Sequence, residues 1–343
     1  MNGPEHPVLR PDPPQPPPTP LRMGDPSTPP KAKRVFIVAC RRSGTTWATM
    51  LLSQHPRVVG IQQSSFFHRV DYLGDYLGEE VKYGRHIITA ADSASAESAE
   101  LRRRPIRNVM PLSRYHHYIR PFAEEVYDRL AECGEDTLAV IDHQPENAHS
   151  WKNIIEIFPD AYFLHVVRDP RSVYSSYAHS ARTWSNHKTF TSNASDFAAE
   201  WRTEVSSARE IPLRTDRYLE VRYEDMLANG PEELRRIHEY LELPSSEQQC
   251  REAIAACSLD RLRKSGHGPR GFFRKGQASG WRSEVPRSKV EVIEFDCASL
   301  MSELGYDRAF VTGPQKPFSM RVRDFLKRPL WALRRRLSRL RSA

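Results

Sequence analysis

The stretch Arg34–Trp47, RVFIVACRRSGTTW, constrains this chain more than any other. Arg34–Cys40 is a short apolar run rich in β-branched residues, which predicts a buried, parallel strand. A turn of small polar residues follows, and Trp47–Leu52 reads as a helix. A buried strand that runs through such a turn into a helix leaves backbone N–H groups exposed at the helix N-terminus, where the dipole favours an anion. Gly44 permits close backbone approach. Ser43, Thr45 and Thr46 add hydroxyl donors. Arg42 adds a fixed positive charge with several donors, and Arg41 beside it joins the expected anion-binding residues. The pattern suits a phosphate or sulfate group. It departs from a nucleoside-triphosphate loop, because G-x-x-x-x-G-K-[ST] is absent and no Lys follows the glycine. The plain alternative is an ordinary polar strand-to-helix turn.

Further strands are expected at Val58–Gln62, Thr137–Asp142, Ala161–Val167 and Tyr218–Tyr223. Helices are expected at Tyr118–Glu132, Asn147–Ile157, Asp196–Glu210, Pro231–Leu241 and Ser288–Leu304. Another opens with Pro170 at its first position and runs to about Arg182. Strands alternating with helices of this length predict a doubly wound α/β fold with a mainly parallel central sheet flanked by helices. Residues 84–117 give no clear pattern, and residues 258–287 read as a long basic loop.

Composition sets the limits around this core. Within residues 1–30 there are twelve prolines, too few large apolar groups to offset chain entropy, and hence an expected disordered segment. It has no apolar stretch of the kind a secretory signal needs. Of 343 residues five are cysteines, scattered and without C-x-x-C spacing, which fits free thiols in a reduced compartment such as the cytoplasm. The net charge of +8 is uneven: residues 316–343 carry net +9, and the remainder is close to neutral at −1. A neutral body argues against nucleic acid as a partner and directs any anionic partner to the C-terminus. The chain therefore divides into a Pro-rich segment (1–30), one globular domain (31–315) and a basic tail (316–343). From Phe318 the tail alternates apolar residues with Arg and Lys, as a basic amphipathic helix does. It either seats peripherally on an anionic membrane surface or docks on the body with a solvated basic face.

A second anion site is legible at VVRDPRSVYSSY, residues 166–177. Arg168 ends a strand at the edge where α/β proteins bind ligands, and Ser176 lies about two turns into the following helix. Together they can grip a phosphate, Arg168 through its charged fork and Ser176 through its hydroxyl.

These two motifs resemble those of sulfotransferases that use 3′-phosphoadenosine 5′-phosphosulfate (PAPS), with a P-loop-like domain. Arg42, where cytosolic members usually carry Lys, is similar to the bacterial and tyrosylprotein-type branches. The resemblance implies that Arg42 contacts the phosphosulfate bridge, that Thr45 and Thr46 bind the 5′-phosphate with Ser43 and Gly44, and that Arg168 and Ser176 hold the 3′-phosphate. Trp47 lies against adenine in that scheme, but a plain core role fits it equally. Tyr218–Leu243 is similar to the family's strand–Tyr-Glu-Asp–helix segment, with Tyr223 near adenine and Glu224 and Asp225 structural. Arg274, Lys275 and Gly276 match a loop that closes on the 3′-phosphate. Gly280-Trp281-Arg282 follows it, without the family's Asp before the Trp.

Sulfuryl transfer needs a base for the acceptor hydroxyl, charge stabilisation at the leaving phosphate, and in-line alignment. Arg42 is the leading stabilising group, and the family uses no metal. For the base, His143 in Val140–Pro145 occupies the place of the family's catalytic histidine; a hydrogen-bond donor to substrate or sulfate and a structural residue are its other readings. The branch that uses Glu before a Phe-Phe pair is closed here, since Gln62, Gln63, Ser64 and Ser65 precede Phe66-Phe67. His68, Glu79 and Glu80 stand in reserve. The expected reaction moves a sulfuryl group from PAPS to a hydroxyl, or less readily an amine, of a carbohydrate, glycolipid, natural product or protein tyrosine. The alternative is a non-catalytic nucleotide-binding scaffold at a membrane.

Overall fold

The computed structural model describes residues 31–70, 112–183, 190–264, 279–317 and 320–321. Five strands form one all-parallel sheet: β1 (Lys33–Val38), β2 (Val58–Gln62), β3 (Ala139–His143), β4 (Tyr162–Val167) and β5 (Tyr218–Arg222), in the order β2-β3-β1-β4-β5. The helices that matter for the site are α1 (Thr45–Leu52), α2 (Leu112–Ala131), α3 (Asn147–Ile157), α4 (Pro170–Thr183) and α5 (Ala194–Ala208). They are followed by α6 (Tyr223–Ala228), α7 (Gly230–Tyr240), α8 (Glu247–Ala256), α9 (Leu259–Lys264), α10 (Trp281–Glu284), α11 (Arg287–Asp296) and α12 (Ala298–Glu303).

Strands β1, β3 and β4 are buried almost throughout, as central strands covered on both faces must be. On one face Leu51, Leu52, Leu234, Ile237 and Cys250 pack against Val35, Ile37 and Ile141. On the other, Tyr127, Trp151 and Ile154 pack against Phe36, Val38 and Phe163. A third cluster joins α4, α5 and α11 through Tyr177, Phe197, Trp201 and Ile293.

The chain leaves β1 toward β2 and leaves β4 toward β5. Their C-terminal ends therefore part in opposite directions, and a crevice opens between the two adjacent strands, the switch point at which open α/β sheets bind ligands. Both sequence motifs end there.

Several bounds differ from the sequence expectations. Helix α2 begins six residues earlier than Tyr118 and carries Pro121 in its interior. The expected single helix Ser288–Leu304 is two, α11 and α12, parted at Cys297. Tyr223 opens α6 rather than ending β5. The basic loop holds two short helices, α9 and α10, around residues 265–278, which lie outside the described set. The tail beyond Arg321 and residues 1–30 also lie outside it. Among the described residues no helix is long and apolar enough to cross a membrane.

Candidate active site

Between β1 and α1 the backbone enters the left-handed region twice, at Arg42 (φ 68°) and at Gly44 (φ 99°). Such a reversal gathers successive amides into a concave anion-binding turn. Gly44 has a second reason to be glycine: a Cβ there would come within 2.4 Å of the Tyr223 ring. Tyr223 closes the loop from below. The guanidinium of Arg168 lies 4.3 Å over its ring, and Trp47 meets it edge-on at 5.5 Å.

The two motifs touch directly. Arg42 donates from Nε to Ser176 Oγ at 3.0 Å, and Arg168 donates from Nη1 to the Arg42 carbonyl at 3.2 Å. The strand order thus places residues from both halves of the sequence at one crevice. Trp47 is buried, and its indole N–H donates to the Cys257 carbonyl at 3.0 Å. That is the geometry of a core residue that backs Tyr223.

His143 ends β3 and faces α1. Its Nε2 is 2.6 Å from Thr45 Oγ1, and its Nδ1 has no partner among the described residues. Burial lowers its pKa from the usual 6.5 to about 4, against a small opposing pull from Glu146, so the imidazole is neutral at physiological pH. Two further buried polar atoms at this crevice have no partner among the described residues: Ser43 Oγ and Arg168 Nε. Each such orphan costs about 1–3 kcal/mol. Three such atoms lie around one loop, and an anion with several acceptor atoms fits that set.

The remaining candidates divide. Asp169 and Glu294 hold Arg171, which stacks on buried Trp281 at 4.1 Å, so the Gly-Trp segment braces the second motif. Glu224 accepts from the Asp169 amide at 3.1 Å and from Tyr306 at 2.9 Å, a structural role. Arg41 is bonded to Glu146 and Glu200. His68 is exposed, and His116 bonds Asn153 at 2.9 Å. Arg274, Lys275, Gly276, Glu79 and Glu80 lie outside the described residues.

Sequence reasoning missed Asp142. It is fully buried on the face opposite His143, accepts from Tyr127 and shares the one Ser64 hydroxyl proton between its two oxygens, at 2.8 and 3.0 Å. Burial raises its pKa. Ser64 lies between Gln63 and Ser65, both at positive φ, and the Gln63 amide donates to the His143 carbonyl at 2.8 Å. Asp142 therefore fixes the strained turn at the end of β2 against the strand end that carries His143. A carboxylate inside an otherwise apolar strand was the available signal.

A profile described as the Sulfotransferase family matches residues 34–247. The chain belongs to the sulfotransferase family. Among curated relatives, omega-hydroxy-beta-dihydromenaquinone-9 sulfotransferase of Mycobacterium tuberculosis is 30% identical over 152 residues, 42% of this chain and 35% of that one. Protein-tyrosine sulfotransferase of Drosophila melanogaster is 24% identical over 280 residues, covering 80% of this chain and 51% of that one. The chain thus spans about a third to a half of the length of these relatives. In fold it is similar to the sulfotransferase domain of the Synechococcus PCC 7002 olefin synthase, with a TM-score of 0.50, 20% identity, and coverage of 82% of this chain and 98% of that one.

Proposed function

We propose that this sulfotransferase transfers a sulfuryl group from PAPS to a hydroxyl of its acceptor. The observation that carries the reading is the joining of two anion-binding motifs at one switch point, through Arg42–Ser176 and Arg168–Arg42. When bound, PAPS supplies the activated sulfuryl group and a phosphate leaving group. The 5′ side falls to the loop amides, Ser43, Thr45 and Thr46, and the 3′-phosphate to Arg168 and Ser176. Arg42 joins the two and stabilises charge developing on the bridging oxygen. His143 takes the acceptor proton. Thr45 Oγ1 has a single proton and sits 2.6 Å from His143 Nε2; once that proton goes to an anion in the loop, Nε2 no longer accepts it. No step is assigned to a metal.

A hydroxyl acceptor agrees with the relatives' names, which specify an omega-hydroxy quinone derivative and protein tyrosine. The basic tail would bring the enzyme to anionic membrane surfaces on the cytoplasmic side. The experiment is a transfer assay with labelled PAPS and a panel of hydroxylated acceptors, without metal. Transfer is expected. Arg42→Ala should lower it ~30- to 1000-fold, a loss of roughly 2–4 kcal/mol of transition-state stabilisation. Tight binding of the product nucleotide 3′-phosphoadenosine 5′-phosphate (PAP) with no transfer to any acceptor would instead favour the scaffold reading.

A further inference from the structure

Arg41 adjoins Arg42, and sequence alone groups it with the donor-binding residues. Its guanidinium is occupied otherwise: Nη2 donates to Glu146 Oε1 at 2.6 Å and Nη1 reaches Glu200 Oε1 at 3.4 Å. Glu146 also accepts from Gln144, and Glu200 accepts from the Tyr177 hydroxyl at 2.6 Å. Three members of this network lie close in sequence to residues of the site. Arg41 precedes Arg42, Glu146 lies three residues after His143, and Tyr177 follows Ser176.

A third carboxylate, Glu204, is buried beside Cys40 and lies 3.3 Å from half-exposed His149. Burial pushes the carboxyl of Glu200 up. Burial also acts to raise Glu146, but the bond and charge of Arg41 outweigh it and hold that carboxyl low, with His68 adding a weaker pull. Three acidic groups thus gather behind a loop whose chemistry suits a polyanion, and one guanidinium bonds two of them.

We propose that Arg41 is a positioning residue: it neutralises and pins Glu146 and Glu200, so that the anion loop accepts a phosphate-bearing donor despite the carboxylates beside it. The inference rests on the donor reading above. It differs from direct donor contact, because removing Arg41 should do harm only while the two carboxylates are present and charged.

The test is calorimetric titration of PAP into the full chain at pH 8.5 and pH 5.5. Arg41→Met should weaken PAP about 10- to 100-fold relative to wild type at the higher pH, as expected for two partly screened charges nearby. The ratio should shrink at the lower pH, where the released carboxylates begin to take up protons. Arg41→Lys should recover part of the affinity, and R41M/E146Q/E200Q most of it. Glu146→Gln alone should bind PAP at least as well as wild type; this variant keeps the test open if Arg41→Met does not fold. Equal PAP affinity of Arg41→Met and wild type at both pH values would overturn the inference. So would a loss that is independent of pH and not relieved by the two amides, or a weakened Glu146→Gln. Failure of the wild type itself to bind PAP would overturn the donor reading and the inference with it.

Discussion

At the scale of single residues, Arg168 is tied into the packing of the loop and still has one donor to spare. Its face lies on Tyr223, one nitrogen holds the Arg42 carbonyl, and Nε is buried without a partner among the described residues. A charged hydrogen bond to a phosphate is worth roughly 1.5–3 kcal/mol. Arg168→Ala should therefore weaken PAP about 10- to 150-fold while weakening adenosine 5′-phosphosulfate far less, since only PAP carries the 3′-phosphate. Equal losses in calorimetry would show that the arginine only props the loop. For His143 the sign of the pH effect follows from its environment. An unperturbed imidazole would lose basic function below about pH 6.5. Burial holds this one neutral down to about pH 4. The acceptor kcat/KM should stay level from pH 8 to pH 5, then fall as the imidazole protonates. His143→Ala should abolish turnover while retaining PAP binding. A limb centred near pH 6.5 that survives in the variant would assign the proton transfer to another group.

At the scale of elements, the β1–loop–α1 unit was legible because everything that shapes it is local: an apolar strand, a glycine, three hydroxyls and a helix start within fourteen residues. Pro170 placed the start of α4 for the same reason. Helix α8 went unread although its capping box, Ser246 with Gln249, is also local. The split between α11 and α12 was hidden because helical periodicity continues across Cys297. What sequence could not supply were the contacts set by strand order. Thr45 meets His143 and Arg41 meets Glu146 because β3 lies beside β1, and Arg42 meets Ser176 because β4 lies on its other side. The sequence places Arg41 beside Arg42 but carries no sign of its two carboxylate partners. The local unit carries its own prediction. Gly44→Ala would place a Cβ into the Tyr223 ring at a backbone angle of +99°. Left-handed strain and the displaced ring should cost about 1–3 kcal/mol of stability. Because Arg168 rests on Tyr223, PAP affinity should fall as well. Wild-type unfolding and binding by this variant would remove Tyr223 as the floor of the loop.

At the scale of the whole molecule, the sequence sets a nearly neutral body apart from a concentrated basic end. The division at residue 316 needs one refinement: Met320 is buried in the α4–α5–α11 cluster, and its amide donates to the Pro317 carbonyl at 3.0 Å. A cut that tests the tail without opening the core therefore falls after Arg321. Residues 322–343 carry eight Lys/Arg and one Asp, net +7, and their removal leaves a chain of net +1. Each basic residue near an anionic bilayer is worth on the order of 1 kcal/mol, and the apolar residues between them add to that. Engagement of half the charges suffices for peripheral binding. The full-length protein should co-sediment with vesicles rich in phosphatidylserine, ignore neutral ones, and release as salt shortens the screening length. The truncated protein should stay in the supernatant yet turn over a soluble acceptor at the full-length rate, because every assigned donor and acceptor residue lies upstream of the cut. Loss of folding on truncation would identify the segment as docked structure. Equal indifference of both forms to anionic vesicles would leave the arginines a solvated face, because a net +7 segment free to reach an anionic surface would bind it.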